Sequence, residues 1–503
     1  MQARGVHHPR SVATCRAGWL ASVLGLAGTA AYAGALTDGA PPGSPLATVE
    51  EGLQQVLEDA LAANLQLRAG AATVGQRLAA LDQARARYLP VLDFAARYSV
   101  ADGGRTIEFP VGDLLNPVYS TLDEVLIASG QAPRFPRVRN ERIELLRSEE
   151  QETRLILQQP IYEPRLAPAV EAGRQDVARG ASDLVALRSR VTRDTRQAYY
   201  QWLGAQEAAL VIEATGELAR ANLAANESLY RNGRITRDLV YRAEADVLEI
   251  EQQGIAAASR VRIAQSYVNL LRDAPLDAPL PRAAIDEATI SRFRAALLRR
   301  MAGQGPDLAQ LQDLATGARA DLAGLDAAVA AGEARQDLAR AAFRPTLALG
   351  AEAGIQGEDY GFGDDQRYVL ASVILRWNAF RGGADRAALR EAHAFTEELR
   401  AIRELARQQV RLEVQQALEA LEVADASLET ALKRTEAAGG AFRIASRKRD
   451  LGQISQVEFI DARRAHTESL LNLNRTRTEF LARIAELEYA VGSPQSAAWV
   501  PAP

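Results

Sequence analysis

The sequence predicts a mainly α fold that also builds a membrane β-barrel, with long coiled-coil helices, four short strands per chain and an internal duplication. Three observations carry this. Two spans lack proline over more than 100 residues, between Pro168 and Pro275 and between Pro345 and Pro494. Four segments show period-two alternation or a weaker version of it, and two sets of short motifs recur at a constant offset. Composition agrees: 24% of residues are charged, only 6% are aromatic, and the apolar content is dominated by Ala and Leu, which favours long helices with small contact residues. The net charge of −5 is interleaved along the chain, so no basic stripe is available for a phosphate backbone and nucleic acid is not an expected partner.

The N-terminus has the form of an export signal. Arg4, Arg10 and Arg16 precede an uncharged run from Ala17 to Ala35, and Ala31-Tyr32-Ala33 fits the small-x-small cleavage rule, so cleavage is expected after Ala33. Removing residues 1–33 deletes three arginines and no acid, so the charge becomes −5 − 3 = −8. It also deletes Cys15, the sole cysteine, which excludes disulfides and thiolate metal sites from the mature chain. Cys15 precedes the apolar run, so no lipidation signal is expected. Beyond the signal no apolar stretch is long enough for a spanning helix, so a membrane crossing has to be made by strands.

The duplication sets the organisation. Gly233 and Gly452 lie in matching turns, 452 − 233 = 219 residues apart, the spacing that also separates Gln197 from Gln416. Tyr88-Leu89-Pro90 matches Phe343-Arg344-Pro345 at 345 − 90 = 255 whereas Tyr162 matches Phe380 near 380 − 162 = 218, which places an extra 255 − 218 = 37 residues of the first half between Pro90 and Tyr162. The first repeat is read as residues 34–272, with an ascending helix at 49–88, strands at 91–100 and 154–161 around a long extracellular loop 101–153, a long helix at 164–231 and a return helix at 237–271. An equatorial linker, 273–306, holds a short helix around Ile290 to Met301. The second repeat, 307–492, has an ascending helix at 307–343, strands at 346–355 and 367–377, a long helix at 384–450 and a return helix at 456–489; residues 493–503 form a tail. Helices filling the long spans would reach on the order of 100 Å, and stripes such as Val414, Leu418, Leu421, Leu428 and Leu432 need flanking helices to cover them.

In the first strand Leu92, Phe94, Ala96, Tyr98 and Val100 alternate with Asp93, Ala95, Arg97 and Ser99, and in the fourth Val369, Ala371, Val373, Leu375 and Trp377 oppose Ser372 and Arg376. The alternation suits lipid outside and water inside, and equally a soluble sandwich with one wet face. Four strands cannot close a barrel, and an open edge in lipid leaves backbone groups unpaired at several kcal/mol each, so copies of the chain must complete it.

Taken in order, the Leu89-Pro90 and Arg344-Pro345 helix ends, the Trp377-Asn378-Ala379-Phe380-Arg381-Gly382-Gly383 corner and the turns Tyr230 to Leu239 and Arg449 to Ile460 resemble the TolC-type outer-membrane efflux protein family over the whole mature length. The resemblance implies a homotrimer with one twelve-stranded barrel in outer-membrane lipid and a helical tube in the periplasm. It further implies a periplasmic adaptor and, through it, an inner-membrane pump of RND, ABC or MFS type. Its function would be passive conduction in efflux or type I secretion. The alternative is a periplasmic coiled-coil adaptor or spacer without a barrel.

The resemblance also assigns sites. Asn232, Gly233, Arg234, Leu451, Gly452 and Gln453 would form the adaptor-docking turns. Asp238, Glu458 and Asp461 would ring a periplasmic gate, where repulsion between copies would raise their carboxyl pKa values, although acids in a first helical turn also serve the helix N-terminus. The family position able to carry a latching arginine is Ile454 here, which leaves Arg234 or Arg237 as replacements. No cofactor, metal or catalytic constellation is expected. His393 and His466 lack ligand-spaced partners and read as solvated surface residues, and no phosphate loop or nucleophile elbow occurs.

Overall fold

The computed structural model describes residues 48–145, 147–300, 307–359 and 361–492; the expected signal peptide and C-terminal tail lie outside them. In chain order the elements are α1 (Val49–Ala63), α2 (Leu65–Ala86), β1 (Val91–Val100), β2 (Thr106–Phe109), α3 (Val111–Ala128), β3 (Glu141–Glu144), β4 (Glu149–Tyr162), α4 (Leu166–Arg231) and α5 (Arg237–Leu271). They continue with α6 (Glu287–Arg300), α7 (Leu308–Ala318), α8 (Ala320–Ala341), β5 (Thr346–Gly357), β6 (Arg367–Arg376), α9 (Ala384–Asp450) and α10 (Gln456–Val491). At 66 and 67 residues, α4 and α9 are each about 100 Å long.

Each long helix buries its apolar stripe against its neighbours. Trp202, Leu203 and Val191 of α4, Val414, Leu418 and Leu428 of α9, and Phe480, Leu481 and Ile484 of α10 are all buried, and most belong to one continuous core. The linker closes over this core: Ile290 of α6 is fully buried, and the Tyr199 hydroxyl donates to the Pro281 carbonyl at 2.8 Å.

The ascending segments differ from the single helices expected at 49–88 and 307–343. Each is broken, at Asn64 and at Arg319, where the backbone turns extended (ψ 122° and 123°). The two breaks are 319 − 64 = 255 residues apart, the spacing of Pro90 and Pro345, so the duplication extends to them. Neither break uses Pro or Gly; tertiary partners hold both. The Asn64 side-chain oxygen accepts from Gln66 and Leu67 N–H groups while its Nδ2 donates to the Leu271 carbonyl at 3.0 Å, satisfying a C-terminal carbonyl of α5. The buried Arg319 guanidinium pairs with Asp321 at 2.6 Å and with Glu413, and lies 5.5 Å from the Tyr489 ring. Replacing Asn64 by Ala is expected to cost about 2 kcal/mol, through the lost cap and the orphaned Leu271 carbonyl, measured as a lowered denaturant midpoint with unchanged slope.

The second strand also differs, beginning at Glu149 rather than 154. Glu149 to Gln151 show no hydrophobic alternation, but they pair with β1 through Val100↔Glu149 and its neighbours, and Tyr98 donates to Glu149 at 3.0 Å. The expected loop 101–153 therefore contains β2, α3 and β3.

β1, β4, β5 and β6 form one antiparallel sheet in the order β1-β4-β5-β6. The register places Leu92, Phe94, Leu155, Leu157, Leu349, Val369 and Val373 on one face, where Phe94 is 70% and Val369 84% exposed. The opposite face carries Arg97, Glu152, Arg154, Glu352 and Tyr368. There Arg97 pairs with Glu152 at 3.1 Å, Arg154 bridges Glu152 at 3.3 Å and Glu352 at 3.1 Å, and Tyr368 bonds to Glu352. Among the described residues, β1 and β6 each have one strand partner, so both sheet edges are open.

Candidate functional site at the helical turns

At the end remote from the sheet, α4 and α9 stop in matching turns. Gly233 has φ +69° and Gly452 φ +68°. The Gly233 N–H donates to the Tyr230 carbonyl and the Arg234 N–H to that of Leu229, both at 2.9 Å; Gly452 N–H donates to Arg449 at 2.9 Å and Gln453 N–H to Lys448 at 2.8 Å. This is the Schellman arrangement, which requires a left-handed residue at the glycine position. A Cβ at either glycine would meet nothing within 4 Å, so the requirement is conformational and not steric. Asn232, Gly233, Arg234, Leu451, Gly452 and Gln453 are all exposed.

The three acids placed at a gate behave differently from one another. Ser455 caps α10: its hydroxyl accepts from the Glu458 N–H at 3.2 Å, and the Glu458 carboxylate accepts from the Ser455 N–H at 3.1 Å. Those hydrogen bonds, the backbone one foremost, hold the Glu458 carboxyl below its ordinary pKa. The raised value expected from a ring of acids is not what the protomer imposes on Glu458, because the cap favours its charged form. The sign follows: this capping contribution is present above the ordinary carboxylate pKa and is lost as pH falls through the lowered value. Asp238 bonds to the Thr236 hydroxyl, and Asp461 is exposed with no partner among the described residues.

The replacement latches do not form within the chain. Arg237 lies 5.2 Å from the Tyr241 ring, and neither it nor the exposed Arg234 makes an ion pair with a described residue. Instead the two return helices are joined by contacts that sequence reasoning missed. Gln456 Nε2 donates to the Leu239 carbonyl at 3.2 Å. About two turns deeper on both helices, Arg463 Nη2 contacts both Asp246 carboxylate oxygens, at 2.6 and 2.7 Å. Both side chains are only 3% exposed. Burial pushes the Arg463 guanidinium below its ordinary pKa, and Asp246 only partly offsets that. Arg464 adds an exposed bridge to Glu249 at 2.6 Å. In the sequence both residues sit among other charges on the return helices, so only their opposition across two chain segments distinguishes them.

His466 differs from the solvated residue expected. It stacks on Phe442 at a centroid distance of 5.5 Å, and its Nδ1 is buried without a hydrogen-bond partner. Burial, with a lesser effect of Arg443, lowers its pKa. Gly439 makes room for it, since a Cβ there would lie 3.2 Å from His466 Cε1. His393 is exposed. Among the described residues no cluster of His, Cys, Asp and Glu is arranged to hold a metal ion.

The chain thus has two helical hairpins with glycine turns at one end and, at the other, an open-edged sheet with one apolar and one charged face. Residues 311–493 match the model of the outer membrane efflux protein family. The chain's fold is similar to the CmeC outer membrane channel of Campylobacter jejuni, with a TM-score of 0.68 at 16% identity over 88% of this chain and 86% of that one. It is likewise similar to VceC of Vibrio cholerae (0.66, 17%, 88% and 96%) and to the MtrE channel of Neisseria gonorrhoeae (0.65, 19%, 88% and 88%). A stretch of 140 residues is 34% identical to Protein CyaE of Bordetella pertussis, covering 28% of this chain and 30% of CyaE.

Proposed function

We propose that this chain is the outer-membrane channel component of a tripartite efflux or type I secretion system, passively conducting solutes from a periplasmic pump and adaptor to the exterior and catalysing no reaction. The observation that carries this reading is the sheet at the end of the hairpins. Its apolar face is bare in the single chain, its opposite face is laced with ion pairs, and both edges are unpaired. In lipid such edges cost several kcal/mol for each orphaned backbone group, and pairing β6 of one copy with β1 of the next removes them. Three copies would give twelve strands.

The helices support assembly in the same way. On α5, Tyr241, Leu248, Ile255, Ile263 and Leu270 recur at heptad-like spacing and are exposed, as are Ile402, Leu405, Leu412 and Val423 on α9. Stripes of this kind are normally covered by a partner helix. The glycine turns then point away from the membrane, where a periplasmic adaptor would dock and an inner-membrane pump would follow through it.

Membrane fractionation and native sizing in detergent test the reading. The mature chain should sediment with the outer membrane and run as a heat-resistant trimer, and Ile255→Glu should shift it towards monomer by placing a charge in the seam. A soluble monomer recovered from the periplasm without detergent would overturn the proposal.

A further inference from the structure

The 37-residue excess of the first half forms a unit that the channel reading leaves unused. The β1–β4 ribbon continues outwards through the Ala101 N–H to Ser148 carbonyl bond (2.8 Å) and the Leu145 N–H to Arg105 carbonyl bond (2.9 Å) into β2 and β3. α3 closes it. The stretch Arg134 to Asn140 is fastened along α3: Asn116 exchanges two bonds with Val138 (2.8 and 2.9 Å), Asp123 accepts from the Arg134 N–H at 2.8 Å, and the Tyr119 and Phe135 rings meet at a tilt with centroids 5.1 Å apart.

This fastening leaves two surfaces unpartnered. Arg134, Arg137, Arg139 and Arg142 are exposed, and none pairs with a described residue. On α3, Leu114, Val118 and Val125 are 69%, 54% and 62% exposed at spacings that share one helical face. A helix lying on an anionic lipid surface would flank such a face with cations, but α3 carries Asp113, Asp123 and Glu124 and no Lys or Arg.

A complementary surface exists on the same molecule. The β5–β6 loop carries Glu358, Asp359, Asp364 and Asp365, with Arg367 reaching Asp364 at 3.6 Å and Arg147 reaching Glu358 at 4.0 Å. Within the sheet, Val100 of β1 pairs with Glu149, Gln151 with Gly357, and Ile355 with Arg367, so the end of β1 and the start of β6 lie at one end of the sheet. Pairing the free edges of two copies would set this acidic loop beside the neighbour's β1–β2 ribbon.

We propose that the inserted unit is a clasp between protomers, in which Arg134, Arg137, Arg139 and Arg142 dock on the acidic loop of the adjacent copy and the apolar face of α3 turns into the same seam. The proposal rests on the trimeric channel reading. It assigns a second, extracellular interface to a chain whose helices and strand edges already call for neighbours. Opposite charges arranged across a seam select register as well as adding attraction.

The test uses the mature chain purified in detergent, where the wild type first has to size as a trimer; if it does not, the channel reading fails and not the clasp. Given a trimer, Arg137→Glu with Arg139→Glu should lower its dissociation temperature by several degrees. Asp364→Arg with Asp365→Arg should do the same, and all four together should restore it. Because Cys15 is the only cysteine and is expected to leave with the signal, Arg139→Cys combined with Asp365→Cys should give covalent trimers with a thiol-specific cross-linker. Unchanged or additive losses, a loss seen only when lipopolysaccharide is added, or cross-linking that stays within one chain would each overturn the clasp.

Discussion

Asp246→Ala is expected to destabilise the chain by about 3–5 kcal/mol, because it strands the Arg463 guanidinium in a site that is 3% exposed. The pair costs more to desolvate than an exposed bridge does, as the lowered Arg463 pKa indicates, so its members tolerate each other and not isolation. Replacing both, by Asp246→Leu with Arg463→Met, should recover most of that loss, since apolar residues of similar volume can occupy a buried ion-pair site without penalty. The two variants therefore separate stability from function. Asp246 and Arg463 join α5 to α10, the helices that leave the two turns, and movement of either hairpin at the glycine-turn end has to break or carry this contact. In planar bilayers the double variant should show higher resting conductance at near wild-type stability. Equal conductance would assign the pair to folding alone.

Gly233→Val with Gly452→Val is expected to abolish export while leaving trimer assembly intact. Both glycines occupy left-handed backbone, and a β-branched residue there costs on the order of 1–3 kcal/mol in local strain. Nothing lies within 4 Å of the added Cβ, so the core is undisturbed and the strain is relieved by rebuilding the turn. The exposed backbone pattern of the proposed docking turns would then be lost. Gly233→Asn with Gly452→Asn is the control, because asparagine accepts left-handed φ at modest cost and should retain export. Unchanged export in the valine variant, measured by substrate efflux from cells, would remove the turns from the docking surface.

The candidate site was legible in the sequence where the physics is local. A glycine three residues before a Ser or Thr cap, in two copies 219 residues apart, marks a helical turn without reference to anything distant. What Glu458 does was less legible. Its place three residues after Ser455 fits a capping box as readily as a ring of charge, and in the protomer it completes the box. His466 misled for the opposite reason: its neighbours in sequence are charged, while its neighbour in space is Phe442.

The sequence by itself determined the elements whose signals repeat along one segment: helices α4 and α9, unbroken because no proline follows Pro168 in the first turn of α4 and none occurs in α9, the amphipathic strands, and the turns. Only the tertiary structure decided the breaks at Asn64 and Arg319, the five additional residues at the start of β4, and the meeting of Asp246 with Arg463 some 217 residues apart. Each of these is held by a hydrogen bond or charge from a different chain segment. Periodicity reports which face of a helix or strand is apolar; it carries no information about which distant donor or carboxylate will stand opposite a given side chain.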